Sequence, residues 1–293
     1  MKKSFYIGIC ATTISNGLLA GTIGALPEPN QYFFAGGGGS YTSAAVHKQT
    51  VYGRGVSRTY TAGVLTSIGS AAGTSSPFYQ NQTNLSPHAQ VGYLRHFNNT
   101  SYFWGAKFAY DYINTFLSDI NMTIPQAGAN TNVINGSITP FTGNYFVDSV
   151  QTHINHEFLL LALIGHSFEY SKVYLGIGPT VFGMQNRINQ FVGYADYNGQ
   201  QATDISGVPA NLSKKYWQWG GAAQLGAIYS LNPTWFLDFS YTYAMVGRNT
   251  IKYVSPFTNQ IGVDNLVGNS FIHPSQFESA QSFTISINGA FNV

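Results

Sequence analysis

The chain has 293 residues, of which only 8% are charged and 15% aromatic, and its net charge is +2. An average soluble domain is roughly 25% charged. Abundant aromatics and small net charge exclude disorder, and the lack of a Lys/Arg stripe argues against nucleic acid as a partner. The longest strongly apolar run in the body, Phe158 to Ile164, is far too short for a spanning helix.

The N-terminus opens with Met1-Lys2-Lys3, continues through a mostly apolar, uncharged stretch from Ser4 to Ala20, and offers a cleavage point at Leu18-Leu19-Ala20-Gly21, with Ala25 as a later option. That layout predicts a cleaved secretory signal over residues 1–20 and one domain over 21–293. Loss of Lys2 and Lys3 leaves 11 basic residues against 11 acidic ones. Loss of Cys10, the sole cysteine, leaves no thiol for a disulfide, a zinc site, a nucleophile or a lipid anchor.

Period-two alternation then recurs along the body. Gln31 to Thr42 carries Tyr32, Phe34 and four glycines, Gly36 to Gly39; such glycines permit close packing or curvature. His88 to Phe97 puts Val91, Tyr93 and Phe97 on one face. Tyr102, Trp104, Ala106, Phe108, Tyr110 and Tyr112 alternate with Phe103, Gly105, Lys107, Ala109 and Asp111. From Val150 to Ile164, Ile154, Phe158, Leu160 and Ile164 face away from Gln151, His153, Asn155 and Glu157. Val173, Leu175, Ile177, Pro179 and Val181 oppose Tyr174, Gly176, Gly178 and Thr180. Trp217, Trp219, Ala223, Leu225, Ala227, Tyr229 and Leu231 oppose Gln218, Gly220, Ala222, Gln224 and Gly226. Trp235, Leu237, Phe239, Tyr241, Tyr243 and Met245 oppose Asp238, Ser240, Thr242 and Ala244, with Phe236 the exception. Phe283, Ile285, Ile287, Gly289, Phe291 and Val293 close the chain against Ser, Thr and Asn.

The pattern predicts eight strands, with Gly63 to Gly69 the segment that could hide another and raise the number to ten. Short turns at Asn98-Asn99-Thr100, Ser167 to Ser171 and Asn232-Pro233 alternate with four long polar connections, 44–86, 114–147, 186–215 and 248–277. Such long connections are uncommon inside compact domains but regular on one side of an outer-membrane barrel. A soluble sandwich would need a charged outer face, which this composition cannot supply. The expected fold is therefore all-β: a closed antiparallel transmembrane β-barrel with short periplasmic turns and long external loops, since a sheet in lipid must close to leave no edge.

Four ionisable residues fall on the small-residue face: Lys107, Asp111, Glu157 and Asp238. An eight-strand barrel has a narrow interior, so these are expected to form an internal charge network, with a charged constriction as the alternative. Trp104, Tyr110, Tyr112, Trp217, Trp219, Trp235, Tyr241 and Tyr243 are the expected lipid-facing aromatic girdle. Arg95 lies where it could snorkel to the periplasmic headgroups.

With these features the chain resembles the small eight-stranded outer-membrane barrels of Gram-negative bacteria, the OmpA/OmpX-like and porin-like superfamily. The resemblance covers the mature chain as architecture. It is most specific at the terminal strand, where Phe283, Ile285, Ile287, Phe291 and Val293 look like a barrel-assembly signal, with the aromatic Phe291 two positions before the end. Leu19 to Gly24 is similar to the signal junction of Legionella-type outer-membrane proteins. The resemblance implies outer-membrane localisation, and it implies outer-membrane lipids, lipopolysaccharide and the barrel-assembly machinery as partners.

Chemistry is not expected. His153 and His156 stand three apart on a strand, which predicts imidazoles on opposite faces and no shared zinc. Gly36 to Gly39 lacks the Lys-Ser/Thr of a phosphate loop. His166, Ser167 and Glu169 are the only compact set suited to a lipid-modifying enzyme, and they sit at a predicted periplasmic turn. No catalytic residue, metal site or cofactor is expected. The expected role is structural, with surface interaction of a host or environmental ligand through the external loops; a narrow passive pore is the alternative.

Overall fold

The computed structural model describes residues 30–197 and 199–292. The predicted signal segment and Val293 lie outside the described residues. Those residues form one antiparallel sheet of twelve strands with no helix. In chain order the strands are β1 (Gln31–Thr61), β2 (Val64–Thr74), β3 (Phe78–His96), β4 (Tyr102–Asn132), β5 (Ile138–Ser167) and β6 (Ser171–Tyr197). They continue as β7 (Gln200–Asp204), β8 (Ala210–Ser230), β9 (Trp235–Val246), β10 (Asn249–Thr250), β11 (Tyr253–Ile261) and β12 (Asp264–Asn292).

Eight strands pair in a cycle, β1–β3–β4–β5–β6–β8–β9–β12, and β12 returns to β1. This seam runs from Tyr32 opposite Asn292 to Thr61 opposite Asp264. The other four strands attach above the cycle. Where β3 ends, β2 takes its place between β1 and β4. Above the end of β9, β10 and β11 pair with β12, and β7 folds back on β6. The segment Gly63 to Gly69 lies mostly in β2, as its alternation suggested.

The connections 44–86, 114–147, 186–215 and 248–277 are not long loops, which corrects the expectation. Most of their length is strand, joined by tight hairpins such as Ala62-Gly63, where both residues have positive φ (50° and 83°). β1 and β4 each run 31 residues, which at about 3.3 Å per residue and a tilt of about 40° gives roughly 75–80 Å of height. An outward apolar band in a membrane barrel is only about 25 Å tall. The upper strands were hidden because both of their faces are rich in Ser, Thr and Asn, so polarity does not alternate.

The interior parity is buried and the apolar parity faces out, with Ile177 69% exposed and Trp219 71% exposed. The interior is not lined by small polar residues alone. At the short-turn end Tyr32, Phe34, Leu94, Phe103, Ile228 and Phe236 pack into an apolar cluster inside the cycle. A second cluster, including Ile124, Tyr145, Val147, Ile188 and Ile272, fills the upper part. One parity break explains another correction. A β-bulge between Ile154 and His156 turns Ile154 inward, fully buried, while Phe158 stays outside.

Two glycines of the run in β1, Gly36 and Gly38, are demanded by close approach. A Cβ on Gly38 would collide with the carbonyl oxygen of Ile285 on β12, whereas on Gly39 the nearest atom would be 3.9 Å away. Gly38→Ala is expected to lower unfolding stability by about 1–3 kcal/mol, with Gly39→Ala within about 0.5 kcal/mol of wild type. Urea titration of tryptophan fluorescence on the refolded chain measures both; equal effects would refute the seam geometry.

Candidate functional site

Within the height spanned by the first apolar cluster, between Phe103 below and Ile113 above, lies a polar tier. Lys107 on β4 and Asp238 on β9 point inward from strands on opposite sides of the cycle, and Nζ meets Oδ2 at 3.3 Å. Tyr174 on β6 completes a triangle, accepting from Lys107 Nζ at 2.8 Å and donating to Asp238 Oδ1 at 2.8 Å. From Asp238 the network runs to Gln90, whose amide donates to Oδ2 at 3.0 Å and also reaches Ser286 and Asn288. Gln90 Oε1 lies 3.2 Å from His88 Nε2, and His88 Nδ1 lies 3.0 Å from Asp111. Asp111 also accepts from Ser40 Oγ at 2.6 Å.

The four expected interior residues are thus all buried, but they are not one cluster of ion pairs. Lys107 pairs with Asp238. Asp111 is held by Ser40 and His88. Glu157, opposite Asp111 in register, accepts from Thr180 Oγ1 at 3.3 Å. A higher set joins Glu278 to Gln276 at 2.7 Å and Gln276 to Thr152 at 2.8 Å, with Gln49 bonded to Gln276 as well. Sequence reasoning missed His88, Gln90, Tyr174, Gln276 and Glu278 as members. For the first three the signal was parity: each alternates with outward apolar residues on its own strand.

Buried charges are tolerated where paired and hydrogen-bonded, and such pairs cost much when half is removed. Apolar side chains lie below the tier (Phe103) and above it (Ile113, Leu117), and its groups bond one another across the interior.

The eight expected girdle residues lie on the outward parity. Trp104, Tyr112, Trp217, Trp219, Trp235, Tyr241 and Tyr243 are exposed, and Tyr110 is half-buried. Trp104 and Trp235 stand near the short turns, and the other six lie higher. Trp217 lies over Gly183, which has no side chain to displace it, and its ring is 5.8 Å from Phe158 and 6.1 Å from His156. Phe283, Ile285, Ile287 and Phe291 form an exposed outward row on β12.

The same bulge overturns the reading of His153 and His156. Both rings face outward: His153 stacks on Phe116 at 3.6 Å, and His156 bonds the Tyr110 hydroxyl at 3.0 Å. Each has an aromatic and a hydrogen-bond partner, and no group of three or more metal-ligating side chains occurs among the described residues. At the short-turn end His166 contacts Ser101 at 3.0 Å and His96 contacts Ser167 at 2.8 Å. His166 and Ser167 therefore have separate partners rather than each other.

No protein-family model matches the chain, and no curated protein matches it. Solved structures similar to it over most of their length include the following three. The outer membrane protein OprG from Pseudomonas aeruginosa is 11% identical, with 91% of this chain and 98% of that one covered and a TM-score of 0.33. Ail, the attachment invasion locus protein of Yersinia pestis, is 13% identical over 82% and 98%, with a TM-score of 0.25. The outer membrane protease OmpT from Escherichia coli is 11% identical over 86% and 97%, with a TM-score of 0.30. At such low identities and scores, what those proteins do is said of them alone.

The paired charge makes a direct test. Lys107→Met alone should cost about 3–5 kcal/mol, because it leaves the buried Asp238 carboxylate without its cation. The double variant Lys107→Met/Asp238→Leu should recover most of that loss in the same urea titration. Additive losses would mean that the two side chains do not act as a pair.

Proposed function

We propose that this is a non-enzymatic β-barrel protein of a Gram-negative outer membrane, exported by a cleaved signal over residues 1–20. One observation carries the reading: eight strands pair in a cycle whose outside is apolar and aromatic and whose inside is packed. A sheet with that polarity is stable where the solvent is hydrocarbon and no hydrogen-bonding edge is left open. Trp104 and Trp235 then mark one interface, and Tyr112, Trp217, Trp219, Tyr241 and Tyr243 the other. Lipids and lipopolysaccharide are the partners of this band. The row Phe283, Ile285, Ile287 and Phe291, with Val293, is the contact for the barrel-assembly machinery.

The packed interior favours a scaffold over a passive pore. Its two apolar clusters and polar tier leave the lumen occupied by side chains. The upper strands, roughly 50 Å of wall beyond the apolar band, then form a rigid surface projection that meets a ligand outside the cell.

Two measurements test this. Ile134→Cys, at a hairpin tip, should react with a membrane-impermeant maleimide on intact cells, while Thr100→Cys, at a short turn, should react only after permeabilisation. The reverse pattern would invert the orientation, and labelling of neither in outer-membrane fractions would refute the location. Planar-bilayer recordings of refolded 21–293 and its Lys107→Ala variant should both be silent. Discrete steps altered by that substitution would instead establish a pore through the polar tier.

A further inference from the structure

The far end of the sheet, opposite the short turns, holds a cavity of about 910 Å³ that belongs to neither the polar tier nor the outward band. Its walls come from β1, β2, β4, β5, β6 and β12. Such a volume lies near the upper end of small-molecule sites, which span about 300–1,000 Å³. The lining has a distinctive chemistry: short hydroxyl and amide side chains such as Thr61 and Asn130, two carboxylates (Asp196 and Asp264), and two aromatic rings (Phe141 and Tyr197). No lysine or arginine occurs among the described residues that line it.

The polar groups are held in place. Tyr197 on β6 donates its phenol to Asp264 Oδ2 at 2.8 Å, and Thr61 on β1 donates to Oδ1 at 2.5 Å. β6 and β12 are not neighbours in the cycle, so the Tyr197–Asp264 bond is a strut across the mouth. Burial and the adjacent carboxylate push the Tyr197 phenol from its ordinary value near 10 up to about 12, so it remains a donor in neutral solution. Thr142 donates to Asp196 Oδ2 at 3.3 Å. A carboxylate offers about four lone-pair sites, so each of these retains acceptor capacity toward a ligand hydroxyl.

We infer that this cup binds a neutral oligosaccharide. A sugar presents vicinal hydroxyls, which carboxylate and amide groups accept and donate to in pairs, and an apolar C–H face, which suits an aromatic ring. Strand-borne Ser and Thr lose little rotamer freedom on binding, so the wall is preorganised. An anionic ligand is disfavoured by two carboxylates in a lining whose described residues include no lysine or arginine. A polyamine would engage the carboxylates but has no use for the hydroxyl wall or the rings. The inference deepens the surface role proposed above and rests on it only for the cup facing outward.

The experiment uses refolded 21–293 in detergent and saturation-transfer NMR with maltotriose, mannotriose and chitotriose, beside spermine and sialyllactose. At least one neutral trisaccharide should bind saturably, and Asp264→Asn and Asn130→Ala should each weaken it about tenfold, the scale of one lost charge-assisted or amide contact. Unchanged heat-modifiable gel migration certifies that the variants fold. Saturation by spermine or sialyllactose alone, binding insensitive to both substitutions, or no binding of any neutral trisaccharide would overturn the inference. Because the purified chain is titrated, these results do not depend on orientation: reversed maleimide labelling would defeat the surface role and leave the binding data standing.

Discussion

The pairing of β12 with β1 is the constraint on which everything else depends. Without it the sheet would end in two long rows of unpaired N–H and C=O groups, from Gln31 upward on one strand and down to Asn292 on the other. Unpaired backbone groups shut away from water are costly, so closure removes a large penalty from a sheet of this length. Closure in turn fixes which parity is inside. Once the cycle is shut, a one-residue slip of β4 or β9 would turn Lys107 or Asp238 to the outside, and one of β8 would turn Trp219 to the inside. The glycines of β1 are part of the same constraint, because the backbone of β12 occupies the space a Cβ on Gly38 would need.

The polar tier and the apolar clusters share the interior by a simple division. Large apolar side chains lie below and above, and the ionisable groups lie between them, where several strands supply partners. Lys107, Asp238 and Tyr174 come from three different strands, as do Asp111, His88 and Ser40. Hydrogen bonds that span the interior in this way hold strands that are not neighbours in the sheet. The projection uses the same device higher up, where the Tyr145 hydroxyl on β5 lies 3.1 Å from Ser270 on β12.

Much of this was legible because a strand with one apolar and one polar face carries a strong period-two signal. Tyr102 to Tyr112 and Phe283 to Phe291 alternate between outward aromatics or aliphatics and inward small or ionisable groups, and the structure follows that parity. Three things were not legible. Above the apolar band both faces are polar, so the strands that carry the cup look like loops. Bulges are set by backbone dihedrals rather than by hydropathy, so Ile154 and His153 exchanged sides unseen. Partners across the interior depend on register and depth. The sequence therefore put Lys107 and Asp111 on one face, but only the folded sheet gives Lys107 to Asp238 and Asp111 to His88. The cup residues Thr61, Asp196, Tyr197 and Asp264 come from three strands far apart in the chain, and no spacing rule brings them together.

The seam has a kinetic consequence as well. Its register couples residues 32–61 to residues 264–292, more than two hundred positions away. Contacts of such high order form slowly, because the loop entropy must be lost before the pairing rewards it. The first strand stays without its final partner until the last has emerged, so no N-terminal portion can reach the finished structure by itself. Folding is thereby tied to the arrival of the whole chain, and a truncation of even the last strand would leave β1 with nothing to close against.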